Sequence, residues 1–209
     1  HGNNTIAMYK NQGSSLIGDI HVVSYFTASA YVDPSAPTID MEVPISLEAE
    51  DYTYKSDLSV LPGIEKSPSV SPFATENNLI NIIGPSFQDS GDALTYFFNV
   101  ENEGYYYITL RYKNDIYSNR VSYIDVYVNG ELQFAEAADI GLDYSSSWQS
   151  QTLGDEYRFY FHSGLNSLTI EASASKVADE YSVLQNMIEE ISAYGLEVKK
   201  LTGGSSDKH

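Results

Sequence analysis

The sequence predicts an antiparallel β-sandwich carrying one amphipathic helix near its C-terminal end. Three observations predict it. Short period-two segments alternate with turn residues, each segment has one apolar face, and tyrosine dominates the aromatics with 18 copies against 8 Phe and 1 Trp. Aromatic residues suit half-buried pleated surfaces, and several short strands between turns close most simply into two packed sheets.

The first 26 residues read as two strands. "GNNTIAM" (2–8) aligns with "GLNSLTI" (164–170), pairing Gly2 with Gly164, Asn4 with Asn166, Ile6 with Leu168 and Met8 with Ile170. "LIGDIHVVSY" (16–25) follows with the pattern of a further strand, so residues 1–26 resemble the tail of a preceding domain of the same kind. Residues 27–44 hold three prolines and little periodicity, the composition of a linker. The sandwich is expected over 45–203.

Within it, "TYFFNV" (95–100) leads through "ENEG" into "YYYITLRYK" (105–113), and "YIDVYVNGEL", "YRFYFHSG" and "NSLTIEAS" follow. Alternation places Tyr106, Ile108, Leu110 and Tyr112 on one face, and Tyr105, Tyr107, Thr109 and Arg111 on the other. Ile124, Val126 and Val128 likewise oppose Tyr123, Asp125 and Tyr127. Asn129-Gly130 has the chemistry of a type I′ hairpin turn, and "HSGLNS" reads as a looser connection of the same kind.

Val177, Tyr181, Leu184, Ile188 and Ile191 recur at helical spacing, with Val183 and Met187 widening the stripe. They predict a helix over 177–194, with its stripe packed on the core and Gly195 as the C-cap. "GLEVKKL" then reads as extended, and 204–209 as a linker ending in a tag remnant at His209.

Composition narrows the function. The chain has 209 residues, enough for one ample domain, and its 42% apolar share supports a core. Twenty-nine acids against 11 bases give a formal charge of −18, which repels nucleic acid and anionic lipid and better suits neutral glycans or cations. With no cysteine there is no disulfide and no thiolate chemistry. No apolar run approaches the ~20 residues of a membrane span.

Catalytic signatures are missing: the sequence holds no Gly-x-Ser-x-Gly elbow, no His-Glu-x-x-His and no phosphate loop. Among so many carboxylates, proximity of two acids marks nothing, and a small β fold is an unpromising frame for glycoside hydrolysis. His1 raises a copper-chelating terminus, with His21 and His162 as the internal histidines to complete it, but no axial tyrosine can be assigned.

At "ISLEAEDY" (45–52), with "GDALTYFFNVENEGYYYITLRY" (91–112), "IDVYVNG" (124–130) and "FHSGLNSLTIEA" (161–172), the chain resembles the galactose-binding-like jelly rolls. Carbohydrate-binding modules of families six and thirty-five are the nearest in pattern. The resemblance covers about residues 45–173. Two departures stand out: the family's closing aspartate strand is replaced by the helix, and "GLEVKKL" lacks the aspartate, although Asp19 carries it in "IGDIHVV". The stretch from "YSSSWQSQTLGDEYRF" through "KKLTGGSSD" is similar to a region of the extracellular solute-binding lipoproteins of Gram-positive ABC transporters.

The resemblance implies a non-catalytic, extracellular or cell-surface bacterial domain that binds polysaccharide or oligosaccharide, or else an interaction domain that has lost its sugar site. It implies that Glu48 and Glu50, at i and i+2 on the opening strand, help hold a structural calcium ion, a hard cation that takes several oxygens. Sugar sites need an aromatic face with a few polar partners, and the resemblance places them in end loops or on a sheet face. The loop candidates are Asn114, Tyr117, Asn119, Arg120, Tyr144 and Trp148; the sheet-face candidates are Phe97, Tyr107, Arg111, Asp125, Tyr127, Tyr160 and His162. Two structural roles compete with these: Trp148 as a plug of the sandwich edge, and the sheet face as a surface buried beneath the helix.

Overall fold

A computed structural model describes residues 28–40, 43–74, 79–116, 118–154 and 157–202, with backbone alone at 177–182, 185, 186, 201 and 202. The readings of residues 1–26 as two strands and of 204–209 as a linker lie outside the described residues.

Alternation becomes two packed layers. One is a five-stranded antiparallel sheet in the order β1 (Tyr54–Lys55), β4 (Ala93–Val100), β11 (Gly164–Ser173), β7 (Ser122–Val128), β8 (Ile140–Leu142). The other is a long ribbon: β5 (Gly104–Tyr107) and β6 (Thr109–Asn114) run on from each other and pair with β10 (Arg158–Phe161) and β9 (Ser145–Thr152) respectively. A small pair, β2 (Pro62–Gly63) with β3 (Ile82–Ile83), sits apart.

The core forms where the inner faces meet. Ile124, Val126 and Val128 are buried at 3%, 0% and 2% exposure, against Tyr112, Leu153, Phe159 and Phe161 from the ribbon side. Tyr106, Ile108 and Leu110 pack on the same cluster, whereas Tyr107, Thr109 and Arg111 are exposed. The faces read from period-two alternation are therefore the faces observed. Asn129 and Gly130 both have positive φ, 52° and 80°, and Val128 bridges Glu131 across them, the tight turn that Asn-Gly favours.

Three expectations change. "HSGLNS" is not a hairpin: β10 belongs to the ribbon and β11 to the five-stranded sheet, so the segment crosses between layers. Buried Asn166 makes that crossing. Its amide donates to the carbonyls of His162 and Gly164, and its oxygen accepts from the Asn129 side chain and the His162 N–H.

The proline-rich stretch is more than a connection, because residues 28–40 lie against the ribbon. Tyr31 packs on Phe134 and Tyr157, Arg158 donates to Asp33 at 2.7 Å, and Thr38 bridges Tyr105 in parallel. Gly104 permits the approach of Ile39, since a Cβ there would lie 2.6 Å from that side chain.

The helix also differs. α1 spans Ser175–Thr202, through Gly195 and "GLEVKKL", and the described side chains of its stripe do not pack on the core. Leu184, Ile188 and Ile191 are 55%, 62% and 66% exposed. At its base, Ser173 and Ser175 hydroxyls donate to Asp139, whose φ is +55°. Among the described residues no helix is long and apolar enough to cross a membrane.

Candidate functional site

The sheet-face candidates separate onto opposite sides of the molecule. Tyr107, Arg111 and Tyr160 lie on the outer face of the ribbon, with Tyr105 and Tyr160 rings 5.3 Å apart and His162 5.1 Å beyond. Phe97, Asp125 and Tyr127 lie on the outer face of the five-stranded sheet. Side chains alternate along each strand, but only the layer assignment says which alternate sets share a surface.

On the five-stranded sheet, register builds rows. Tyr54 pairs with Thr95, Thr95 with Thr169, and Thr169 with Tyr127. Four side chains thus cross the sheet in line, about 14 Å from end to end at the usual strand spacing. The threonines are small and share a hydroxyl hydrogen bond of 2.8 Å, so they form a floor between two tyrosine rings. One row along, Phe97 stands opposite Ser167, 45% exposed, its ring edge-on to Tyr54 at 6.0 Å. One row the other way, Glu171 stands opposite Asp125. Beyond that pair, Ser173 opposes Tyr123, and Lys176 of α1 lies 4.9 Å over the Tyr123 ring.

The result is a shallow trough: exposed aromatics at one end, hydroxyls on the floor, carboxylates at the other end. Burial, then the charge of Asp125, holds the Glu171 carboxyl above its ordinary value. Burial, then Glu171 and Asp125, pushes the Tyr127 hydroxyl up to about 12, so it remains a hydrogen-bond donor at neutral pH. The face is open at its aromatic end, where Tyr54 is 65% exposed, and Lys176 at the base of α1 reaches it at Tyr123. Tyr54 was missed in the sequence because its two-residue strand shows no alternation.

The described loop candidates, Asn114, Asn119, Arg120, Tyr144 and Trp148, gather at one end of β6 and β9. Tyr112 pairs with Gln149 but Asn114 with Ser145, so β9 bulges by two residues around Trp148. Trp148 is half-buried and its Nε1 donates to Glu65 at 3.3 Å. The Ser67 backbone N–H, and after it Trp148, hold the Glu65 carboxyl below its ordinary value. Buried Asn81 fixes this segment, exchanging hydrogen bonds with the Glu65 backbone and donating to the Pro72 carbonyl. Trp148 thus joins the edge of the sandwich to the segment beside it.

Asn114 is also occupied internally: its amide donates to the carbonyls of Arg120 and Leu142, and its oxygen accepts from Ser122. Asn119 and Arg120 are exposed in the loop that Asn114 ties, Asn119 with φ +60°, and Tyr144 is half-buried beside β9. Tyr117 lies outside the described residues, as do His1 and His21.

Glu48 and Glu50 flank Ala49, whose carbonyl accepts the Tyr96 hydroxyl at 2.9 Å. Oε2 of Glu50 is buried without a hydrogen-bond partner, and burial, then Glu48 and Asp51, raises its carboxyl above the ordinary value. An orphaned oxygen among like charges is what a hard cation relieves. Among the described residues no three His, Asp or Glu side chains converge on one point, so further ligands at Glu50 would be carbonyl oxygens or water.

No family model matches the chain, and no curated protein matches it. Among solved structures, it is similar to a Paenibacillus sp. cycloisomaltooligosaccharide glucanotransferase complexed with cycloisomaltoheptaose. The similarity covers 61% of this chain and 16% of that one, at 20% identity and a TM-score of 0.45.

Proposed function

We propose that this chain is a non-catalytic carbohydrate-binding module of an extracellular bacterial protein, and that the glycan lies in the trough on the five-stranded sheet. One observation carries the proposal: the cross-strand row Tyr54–Thr95–Thr169–Tyr127, with exposed Phe97 beside it. Sugar C–H faces stack on flat aromatic rings while their hydroxyls exchange hydrogen bonds with small polar groups, and this surface offers both within reach of one another. The Asp125–Glu171 pair at its end disfavours anionic sugars. These two acids are direct neighbours on adjacent strands of one sheet, which supports a non-catalytic reading, since glycoside hydrolysis uses carboxyl groups on either side of the scissile bond. The resemblance to carbohydrate-binding modules supports the same assignment and an extracellular setting.

The proposal extends to a structural calcium ion at Glu48 and Glu50, supported by the orphaned Glu50 oxygen. Glu48 and Glu50 sit at a turn ahead of β1 rather than on the opening strand expected at 45–52, and that ion would neutralise the Glu50 carboxylate and hold this turn in place.

Affinity electrophoresis and calorimetry against a panel of neutral plant and microbial polysaccharides test the assignment. Retention of the native chain that the Tyr54→Ala/Phe97→Ala variant loses, with Trp148→Ala unaffected, is the expected result. Loss in Trp148→Ala alone would move the site to the loop end. No binding to any polysaccharide would overturn the function.

A further inference from the structure

The trough has a counterpart on the opposite face of the sandwich. Along the outer face of the ribbon, Tyr105 pairs with Tyr160, Tyr107 with Arg158, Thr109 with Thr152 and Arg111 with Ser150. The Thr109 and Thr152 hydroxyls share a hydrogen bond of 3.2 Å, as Thr95 and Thr169 do at 2.8 Å in the trough. Tyr107 stands two residues from Thr109 and is 48% exposed; Phe97 stands two residues from Thr95 and is 45% exposed. Residues two apart on a strand share a face. Each layer therefore presents a cross-strand hydroxyl pair with an open aromatic ring beside it.

The ends of the two surfaces differ. The trough closes on Glu171 and Asp125, whereas β5, β6, β9 and β10 contain no acidic residue. Those four strands carry three cations. Lys113 pairs with Asp115 and Arg158 with Asp33, both at 2.7 Å. Arg111 instead donates to the Ser150 hydroxyl at 3.3 Å and to the Ser69 carbonyl. Glu103 precedes β5, at the end of the ribbon away from Arg111. In a chain of formal charge −18, the middle of this face is thus close to neutral. A polycation meets no row of carboxylates there, and a polyanion meets cations of which two are already paired. Hydroxyls and a guanidinium beside an open ring suit a neutral, hydroxyl-rich chain.

We propose that the outer face of the ribbon, around Tyr107, Thr109, Thr152 and Arg111, is a second, weaker surface for the neutral glycan held in the trough. The proposal rests on the trough reading. This surface presents one open ring, Tyr107, where the trough presents Tyr54 and Phe97, and Tyr105 and Tyr160 are half-buried. It is too weak to retain the chain without the trough. Packed sheets lie about 10 Å apart, and the two surfaces point in opposite directions, so one module holds two chain segments. Two sites on one module bind a polymer more tightly than either alone and join neighbouring chains.

The full chain is titrated by calorimetry with hexasaccharides of β-1,4-glucan, xylan, mannan, β-1,3-glucan and α-1,6-glucan, and with oligogalacturonate. Turbidity follows its mixing with soluble polysaccharides of the same linkages. A neutral hexasaccharide is expected to bind in two phases, the second roughly tenfold weaker for the missing ring, and its parent polysaccharide to cloud. Tyr107→Ala should lose the weak phase and the clouding but keep the tight phase, whereas Tyr54→Ala/Phe97→Ala should lose the tight phase. Because Tyr107→Ala could disturb its strand, Thr109→Val/Thr152→Val removes the hydroxyls while keeping β-branched side chains, and should weaken the second phase roughly threefold. A single phase in the native chain, a weak phase untouched by both ribbon variants, clouding that persists in Tyr107→Ala, or a weak phase seen with oligogalacturonate alone would each overturn the second surface and leave the trough standing. No phase with any hexasaccharide would overturn it as well, and retention on polysaccharide would then decide the trough separately.

Discussion

Glu171 on β11 and Asp125 on β7 stand directly opposite one another, two acids on adjacent strands of an open sheet face. Asp125 also accepts the backbone N–H of Asp139 at 2.7 Å, and Asp139 in turn holds the serines at the base of α1. Like charges facing across a sheet destabilise it.

This pair fixes the sign of a pH effect. The Glu171 carboxyl is raised above its ordinary value by burial and then by Asp125, so the folded chain holds that proton more tightly than the unfolded one. Its contribution is present below the ordinary carboxylate range and is lost as pH rises through the raised value. Glu171→Gln should therefore raise the thermal midpoint at neutral pH, by roughly 0.5 kcal/mol in stability. The gain should disappear in acid, as thermal melts across a pH series would show. A constant gain at every pH would sink the electrostatic explanation.

The aromatic end of the trough should carry most of the affinity. Phe97→Ala and Tyr54→Ala are each expected to weaken glycan binding roughly tenfold, about 1.4 kcal/mol. Both side chains are substantially exposed, so the melting temperature should barely move. Calorimetry beside thermal melts separates the two effects.

Asn166 is 1% exposed and carries four hydrogen bonds where the chain passes between layers. Asn166→Ala leaves buried carbonyls and N–H groups unsatisfied, which costs about 3 kcal/mol. Urea unfolding should show a lower midpoint with an unchanged slope, since the same surface is exposed on unfolding.

Calcium should raise the thermal midpoint of the native chain, and a chelator should reverse the rise, as expected of a ligand that binds only the folded state. Glu50→Gln should abolish that response. In the absence of calcium the same variant should be more stable than the native chain at neutral pH, because it removes a half-buried carboxylate held above its ordinary value. Melts of both proteins with and without calcium decide the matter.

Much of the trough was legible residue by residue but not as a surface. Phe97, Asp125 and Tyr127 stand out as outward-facing positions of aromatic-rich strands, yet alternation alone groups them with Tyr107, Arg111 and Tyr160. The two sets separate only when β4, β7 and β11 enter one layer and β5, β6 and β10 the other. Trp148 and Asn114 carry the chemistry of a sugar site in sequence, but their polar atoms are engaged by Glu65 and by the carbonyls of Arg120 and Leu142. Glu65 and Leu142 come from elsewhere in the chain, beyond the reach of any local pattern.

By itself the sequence determined the strands, the inward sets such as Tyr106, Ile108, Leu110 and Tyr112, the Asn129-Gly130 turn and the apolar stripe of the helix. Each follows from backbone geometry within a few residues: a period of two, a positive φ, a recurrence near 3.6. The tertiary structure decided which outward faces share a surface, which polar side chains were already engaged, and that Leu184, Ile188 and Ile191 of α1 lie open. Those outcomes depend on register between strands distant in the chain: Thr169 meets both Thr95 and Tyr127, and no spacing in the sequence records it.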